Sequence, residues 1–312
     1  MKEEHCPHPH HQHPRRLLHL IFSPKLFTKA TVYILLLTLS YAFGFFSAST
    51  ALTKPSPDFK TPRRPDNSDS LNPNHDLFRF NTRCADPVPS KFVRQTILDR
   101  VYNGTSPFDG FPPPHAAPLL REKRIKGWGS TGAVFENLIR KVQPRTIVEV
   151  GTFLGASAIH MAELTRRLGL KTQILCVDDF RGWPGFRGRF RDLKMVNGDV
   201  TLMYQFMQNV AHVNATEIVL HVPHSSASAL AKMCEWGVYA DLIEVDAGHY
   251  FHSAWADINR AYAILRPGGV LFGHDYFTAE DNRGVRRAVN LFAKAKGLRV
   301  EIDGEHWVIA SR

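Results

Sequence analysis

From Arg145 onward, short apolar runs alternate with amphipathic ones. TIVEV (146–150) is apolar and β-branched, and glycines separate it from a helical run over 156–168. QILCVD (173–178) predicts a second strand, 200–213 a helix, and EIVLHV (217–222) a third strand. The same alternation predicts a helix over 227–235, a strand DLIEVD (241–246) and a helix over 253–265. Pro267-Gly268-Gly269 is expected to stop that helix, before a fifth strand VLFGHD (270–275) and a helix over 283–296. LRVEID and HWVIAS, around Gly304, read as two closing strands. Strands alternating with helices predict an α/β fold: a mostly parallel seven-stranded sheet with a terminal antiparallel hairpin. Ligands are then expected outside the carboxyl ends of the strands.

The first half is patterned differently. Residues 30–53 carry no charged side chain, and Lys29 and Lys54 bracket them. About 20 helical residues span a hydrocarbon core of roughly 30 Å, so this run is expected to be a transmembrane signal anchor. A cleaved signal peptide, ending near Ser47-Ala48-Ser49, is the alternative, against which stands the long polar stretch before the run. Residues 1–29, rich in His and Pro, are expected to be a cytosolic tail. Residues 54–76 read as a disordered stem, 77–144 as an N-terminal extension of the α/β domain with helical signal at Lys91–Tyr102, and 145–312 as that domain itself.

Charge locates the basicity. The chain holds 39 Lys and Arg against 29 Asp and Glu. Residues 1–144 contribute 20 against 11 and residues 145–312 only 19 against 18, so no nucleic-acid partner is expected of the near-neutral half. Lysines and arginines flanking the apolar run are balanced, so they do not set its orientation. Two N-x-T triplets, at Asn103 and Asn214, favour a lumenal C-terminal side: a single-pass type II protein of the Golgi or another endomembrane. A Cys84–Cys234 bridge is compatible with that compartment, although spacing does not require it.

The first strand runs into EVGTFLGASA, where Glu149, Gly151 and Gly155 form E-x-G-x-x-x-G. Gly151 permits a tight turn, and the helix beginning near Gly155 offers free N–H groups to a nucleotide. The third glycine of a dinucleotide fingerprint is missing. Asp178, ending the second strand, is placed to accept ribose hydroxyls. EVGTFLGASA, CVDDF, IEVDAGH and LRPGGVLFGHDY, in that order, resemble the class I S-adenosylmethionine-dependent methyltransferases. The resemblance covers about residues 128–312 and is nearest to the macrocin O-methyltransferase and cephalosporin-hydroxylase-like branch, which has a Rossmann-like fold. It implies that Glu149, Gly151 and Gly155 surround the methionine part of the cofactor, Asp178 its ribose, and Ser225 or Ser226 its adenine. Pro-His-Ser-Ser stands where the family usually has a Gly-Asp-Ser-like signature.

Asp246 and Asp275 end the fourth and fifth strands, which one right-handed crossover joins and so makes neighbours. Strands about 4.8 Å apart let two such carboxylates share a divalent cation, Mg²⁺ by its oxygen ligands, with His274 favouring Mn²⁺ or Zn²⁺. The resemblance implies metal ligands at Asp246, His274 and Asp275 and a general base at His249. It therefore implies an O-methyltransferase. Against this stands a plainer reading, in which Asp246 and Asp275 cap a helix and a loop. The loop RGWPGFRGRFR (181–191) is expected to hold an anionic, hydroxylated sugar acceptor, its aromatics Trp183, Phe186 and Phe190 stacking on sugar rings. A non-catalytic scaffold and a cytosol-facing small-molecule methyltransferase are the rival functions. Oligomeric state is not legible.

Overall fold

The computed structural model describes residues 31–40, 83–121, 127 and 131–311. The chain divides into two units, Met1–Leu71 and Asn72–Arg312. In the first, residues 31–40 form a helix, α1. The rest of the expected anchor, the tail and the stem lie outside the described residues. Among the described residues no helix is long and apolar enough to cross a membrane.

The second unit is a three-layer α/β/α domain. Its strands are β1 (Thr146–Val150), β2 (Gln173–Val177), β3 (Met195–Val196), β4 (Asp199–Val200), β5 (Val219–Val222), β6 (Ala240–Val245), β7 (Leu265–Gly273), β8 (Glu301–Asp303) and β9 (His306–Ala310). Seven of them form one sheet in the order β5-β2-β1-β6-β7-β9-β8. The first five are parallel, and β9 and β8 add an antiparallel hairpin, as the sequence predicts. The small β3–β4 hairpin was not foreseen.

The helices are α2 (Val93–Tyr102), α3 (Ala133–Val142), α4 (Ala156–Arg167), α5 (Leu202–His212), α6 (Ser226–Glu235), α7 (Phe251–Ala263) and α8 (Glu280–Lys296). One sheet face buries Val148, Val150 and Ile243 under α2, α6, α7 and α8. The opposite face buries Ile147, Ile174 and Leu242 under α3, α4 and α5. Both faces being covered explains why the central strands read as continuous apolar runs.

Two of the boundaries that differ from expectation lie around β6 and β7. α7 begins at Phe251, two residues early, with Tyr250 at its N-cap. β7 begins at Leu265, so Pro267-Gly268-Gly269 lies inside the strand instead of ahead of it. Ala240 pairs with Leu265 and Leu242 with Val270, so the irregular register absorbs the extra residues as a bulge.

Cys84 and Cys234 are joined by a disulfide that ties the chain ahead of α2 to the end of α6. Cys176 is buried as a free thiol.

Candidate active site

The carboxyl ends of β1, β2, β6 and β7 open on one side of the sheet. After β1 the chain turns at Gly151 with φ of +89°, and a Cβ there would sit 2.0 Å from the carbonyl oxygen of Asp246. The close approach foreseen for this glycine is therefore to the β6–α7 turn. At Gly155 (φ +77°), a Cβ would meet the Phe206 ring at 2.8 Å.

Asp178 braces the β1–α4 turn. Its Oδ2 accepts from the N–H groups of Thr152 (2.9 Å) and Phe153 (2.8 Å), and its Oδ1 accepts from the Phe180 N–H (2.7 Å). Burial pushes this carboxyl up, and the three N–H donors oppose that. A carboxylate has about four lone-pair sites, so one is left for a ligand hydroxyl.

Glu149 lies beneath the turn and is wholly buried, accepting from Thr152 Oγ1 (2.6 Å) and from Ser157 Oγ. Burial raises it to about 7. Ser225 caps α6, accepting from the Ser228 N–H, and Ser226 Oγ donates to Asp257 Oδ1 at 2.7 Å. Both serines stand at the end of β5, beyond β2 from the Gly151 turn. Asp257, 5% exposed, is a buried partner of Ser226.

Asp246 and Asp275 end neighbouring strands, as expected. Asp246 caps no helix, because Tyr250 holds that position, so the capping reading fails for it. Burial foremost, and then the negative charge of Asp275, push Asp246 up to about 6. Asp275 is left-handed (φ +61°), and Thr278 Oγ1 donates to its Oδ1 at 2.7 Å. Burial opposes its ionisation, but hydrogen bonds from His249, His274 and Thr278 outweigh that and hold it far below the usual carboxylate range.

His249 Nε2 lies 3.0 Å from Asp275 Oδ2, and that bond raises the imidazole above its ordinary value. Its other nitrogen lies 4.0 Å from Asp281 Oδ2. Gly284 permits this arrangement, since a Cβ there would strike the His249 carbonyl oxygen at 2.2 Å. Asp281 and Thr278 were missed in the sequence. The Asp-x-x-Thr spacing of a side-chain turn was the available signal for Thr278.

The structure regroups the expected metal ligands. One ligand atom each from Asp246, His249 and Asp275 lies within 4.8 Å of the others. His274 is turned aside: its Nε2 faces Glu305 Oε2 at 3.2 Å and its Nδ1 faces Asp275 Oδ1 at 3.4 Å. The chain direction after β7 places it there, next to the buried His306 ring at 4.9 Å between centroids. Hydrogen bonding to Asp275, more than any other cause, raises His274 to about 9, the mark of a proton-holding partner.

The 181–191 loop is also corrected in part. Phe186 and Phe190 are buried against Phe153, with centroids at 5.9 and 4.9 Å, and are not free to stack on a ligand. Trp183 is 47% exposed, and Arg181, Arg189 and Arg191 are exposed.

Residues 148–276 match a family model described as a methyltransferase domain. This match supports an S-adenosylmethionine-dependent methyltransferase as the enzyme class. The match runs from β1 through the residue after Asp275, so the glycine turn, Asp178, Asp246 and His249 all fall inside it. Comparison with curated proteins finds no match. Among solved structures, the methyltransferase domain is similar to an O-methyltransferase from Bacillus cereus in complex with SAH, at 19% identity and a TM-score of 0.44, covering 70% of this chain and 97% of that one. It is also similar to the O-methyltransferase TomG from Streptomyces achromogenes in complex with SAM, at 15% identity and a TM-score of 0.41, covering 69% and 98%.

Proposed function

We propose that the chain transfers a methyl group from S-adenosylmethionine to a hydroxyl oxygen, with His249 as general base. One observation carries the reading. Gly151, at the cofactor turn, packs directly on the backbone of Asp246, which starts the acid–histidine cluster. A methyl donor held at the first is thereby brought against an acceptor held at the second, the in-line positioning that methyl transfer needs.

The donor set fits a divalent cation: the Asp246 and Asp275 carboxylates converge, and they repel one another without a cation or proton between them. Asp246 and Asp275 would hold that cation, which supplies acidification of an acceptor hydroxyl. His249 takes the hydroxyl proton as the oxygen–methyl bond forms and the methyl–sulfur bond breaks, leaving a neutral thioether. Asp275 orients His249 through the 3.0 Å contact.

The acceptor we infer is an anionic glycan. Arg181, Arg189 and Arg191, exposed beside Trp183 after β2, support it. The uncharged run 30–53 and the Cys84–Cys234 disulfide support a signal-anchored, lumenal domain, as in the Golgi, since disulfides persist in oxidising compartments.

Calorimetric titration of the full chain in detergent with S-adenosylmethionine, with and without Mg²⁺, tests the core of this reading. Binding that Asp178→Ala abolishes, and subsequent methylation of acidic sugars, are expected. No binding under either condition overturns the proposal and leaves the scaffold reading. Arg181→Ala with Arg189→Ala is expected to raise acceptor KM alone.

A further inference from the structure

We infer that Asn103 and Asn214 are N-glycosylation sites, set on the β5 edge of the sheet. The inference rests on the lumenal reading of the domain, and it adds which residues are modified and where the glycans stand.

The sequence holds two N-x-T triplets, Asn103-Gly104-Thr105 and Asn214-Ala215-Thr216. Each asparagine comes just after a helix in left-handed backbone, φ 53° in both cases. Asn103 is the C-cap of α2, and Asn214 lies one residue past the C-cap of α5. Asparagine tolerates this conformation, which lets a helix stop and throws the side chain outward. Both are exposed, and neither side-chain amide enters a hydrogen bond among the described residues. A glycan on either nitrogen therefore displaces no contact of the folded domain.

Their placement is specific. α2 lies along the edge strand β5: Arg94 Nη2 donates to the Thr216 carbonyl at 3.1 Å, and Tyr102 Oη donates to the His221 carbonyl at 2.7 Å. Asn214 thus precedes the start of β5, and Asn103 comes directly after the residue bonded near its end. β5 stands three strands from β6, which carries Asp246, or about 14 Å at the usual strand spacing. Asn214 stands at the amino end of β5, opposite the mouth, and Asn103 at its carboxyl end, displaced sideways from the strand that carries Asp246.

The disulfide gives independent support. Cys84 precedes α2 and Cys234 ends α6, so the segment bearing the first triplet is covalently fixed in this same domain. The only free thiol among the described residues, Cys176, is buried in β2.

The full chain with a C-terminal epitope is expressed in eukaryotic cells beside Asn103→Gln, Asn214→Gln and the double variant. Peptide N-glycosidase is expected to shift the wild type by two mobility steps, each single variant by one and the double variant by none. Binding of S-adenosylmethionine is expected to be the same throughout. Protease protection of the epitope in intact microsomes reads orientation separately. A protected epitope on a chain without glycans overturns the assignment and leaves the lumenal reading standing. Occupancy of one site alone overturns the assignment of the other. A degraded epitope overturns both the orientation and the assignment.

Discussion

Glu149 on β1 and Glu244 on β6 are register partners, and both are fully buried. Thr152 and Ser157 hydroxyls satisfy Glu149, whereas neither oxygen of Glu244 has a hydrogen-bond partner among the described residues. Burial raises both carboxyls, Glu149 from an ordinary 4.5 to about 7 and Glu244 well above its usual range. The folded chain therefore binds protons that the unfolded chain has released. The contribution of these two carboxyls to stability is complete below about pH 4.5 and is lost as pH rises toward 7 and beyond. Glu244→Gln removes one of these protonations. It is expected to leave stability near pH 4.5 little changed and to raise it at pH 8 by about 1–3 kcal/mol. Urea denaturation at the two pH values measures this, and a pH-independent difference would refute the account.

Gly151 fixes the distance between the two halves of the site. Gly151→Ala puts a methyl group 2.0 Å from the Asp246 carbonyl oxygen in backbone at φ +89°. Left-handed strain and overpacking together predict a loss of roughly 2–4 kcal/mol. The β6–α7 turn must also move, so kcat is expected to fall by more than S-adenosylmethionine affinity does. Denaturation, calorimetry and turnover on one preparation separate these effects. An alanine variant with native stability and native kcat would show that the contact has no such role.

These two relationships mark what the sequence made legible. β1, β2, β6 and β7 were readable because they are buried on both faces and so apolar throughout. The adjacency of Asp246 and Asp275 came from a single crossover. Glu149 was legible as a cofactor-turn residue and Glu244 only as an interruption in an apolar strand; their pairing needs the strand order. The exchange of His274 for His249 in the cluster was not legible, because it depends on the left-handed turn at Asp275 and on α8 docking through Gly284. Burial of Phe186 and Phe190 was likewise hidden, since a loop of arginines and aromatics reads the same whether its rings face in or out. The α3 pattern, with Val134, Phe135, Leu138 and Ile139 on one face, was present and overlooked.

The disulfide closes a long loop. Cys84 and Cys234 are 150 residues apart, and chain-entropy arguments assign such a closure about 5 kcal/mol. Cys84→Ser with Cys234→Ser is expected to lower stability by about 2–5 kcal/mol. Loss should be sensed in α2 and α6 before the sheet, which amide exchange resolves. Equal loss of protection everywhere would mean that the bridge has no local role.

His249 carries the proposed chemical step, so its replacement should spare binding. His249→Gln is expected to lower kcat by about 10²–10⁴-fold while the S-adenosylmethionine Kd stays unchanged. The base must be deprotonated to act, and the hydrogen bond to Asp275 raises it above its ordinary 6.5. Activity should therefore rise with pH along a limb displaced above that value. Asp275→Asn removes the principal cause of the shift and should move the limb to lower pH, with a lower plateau because a cation ligand is lost as well. His274→Gln removes a side chain that faces Glu305, and should leave the limb nearly in place. A limb that moved with His274 and not with Asp275 would mean that the general-base role belongs to a histidine other than His249.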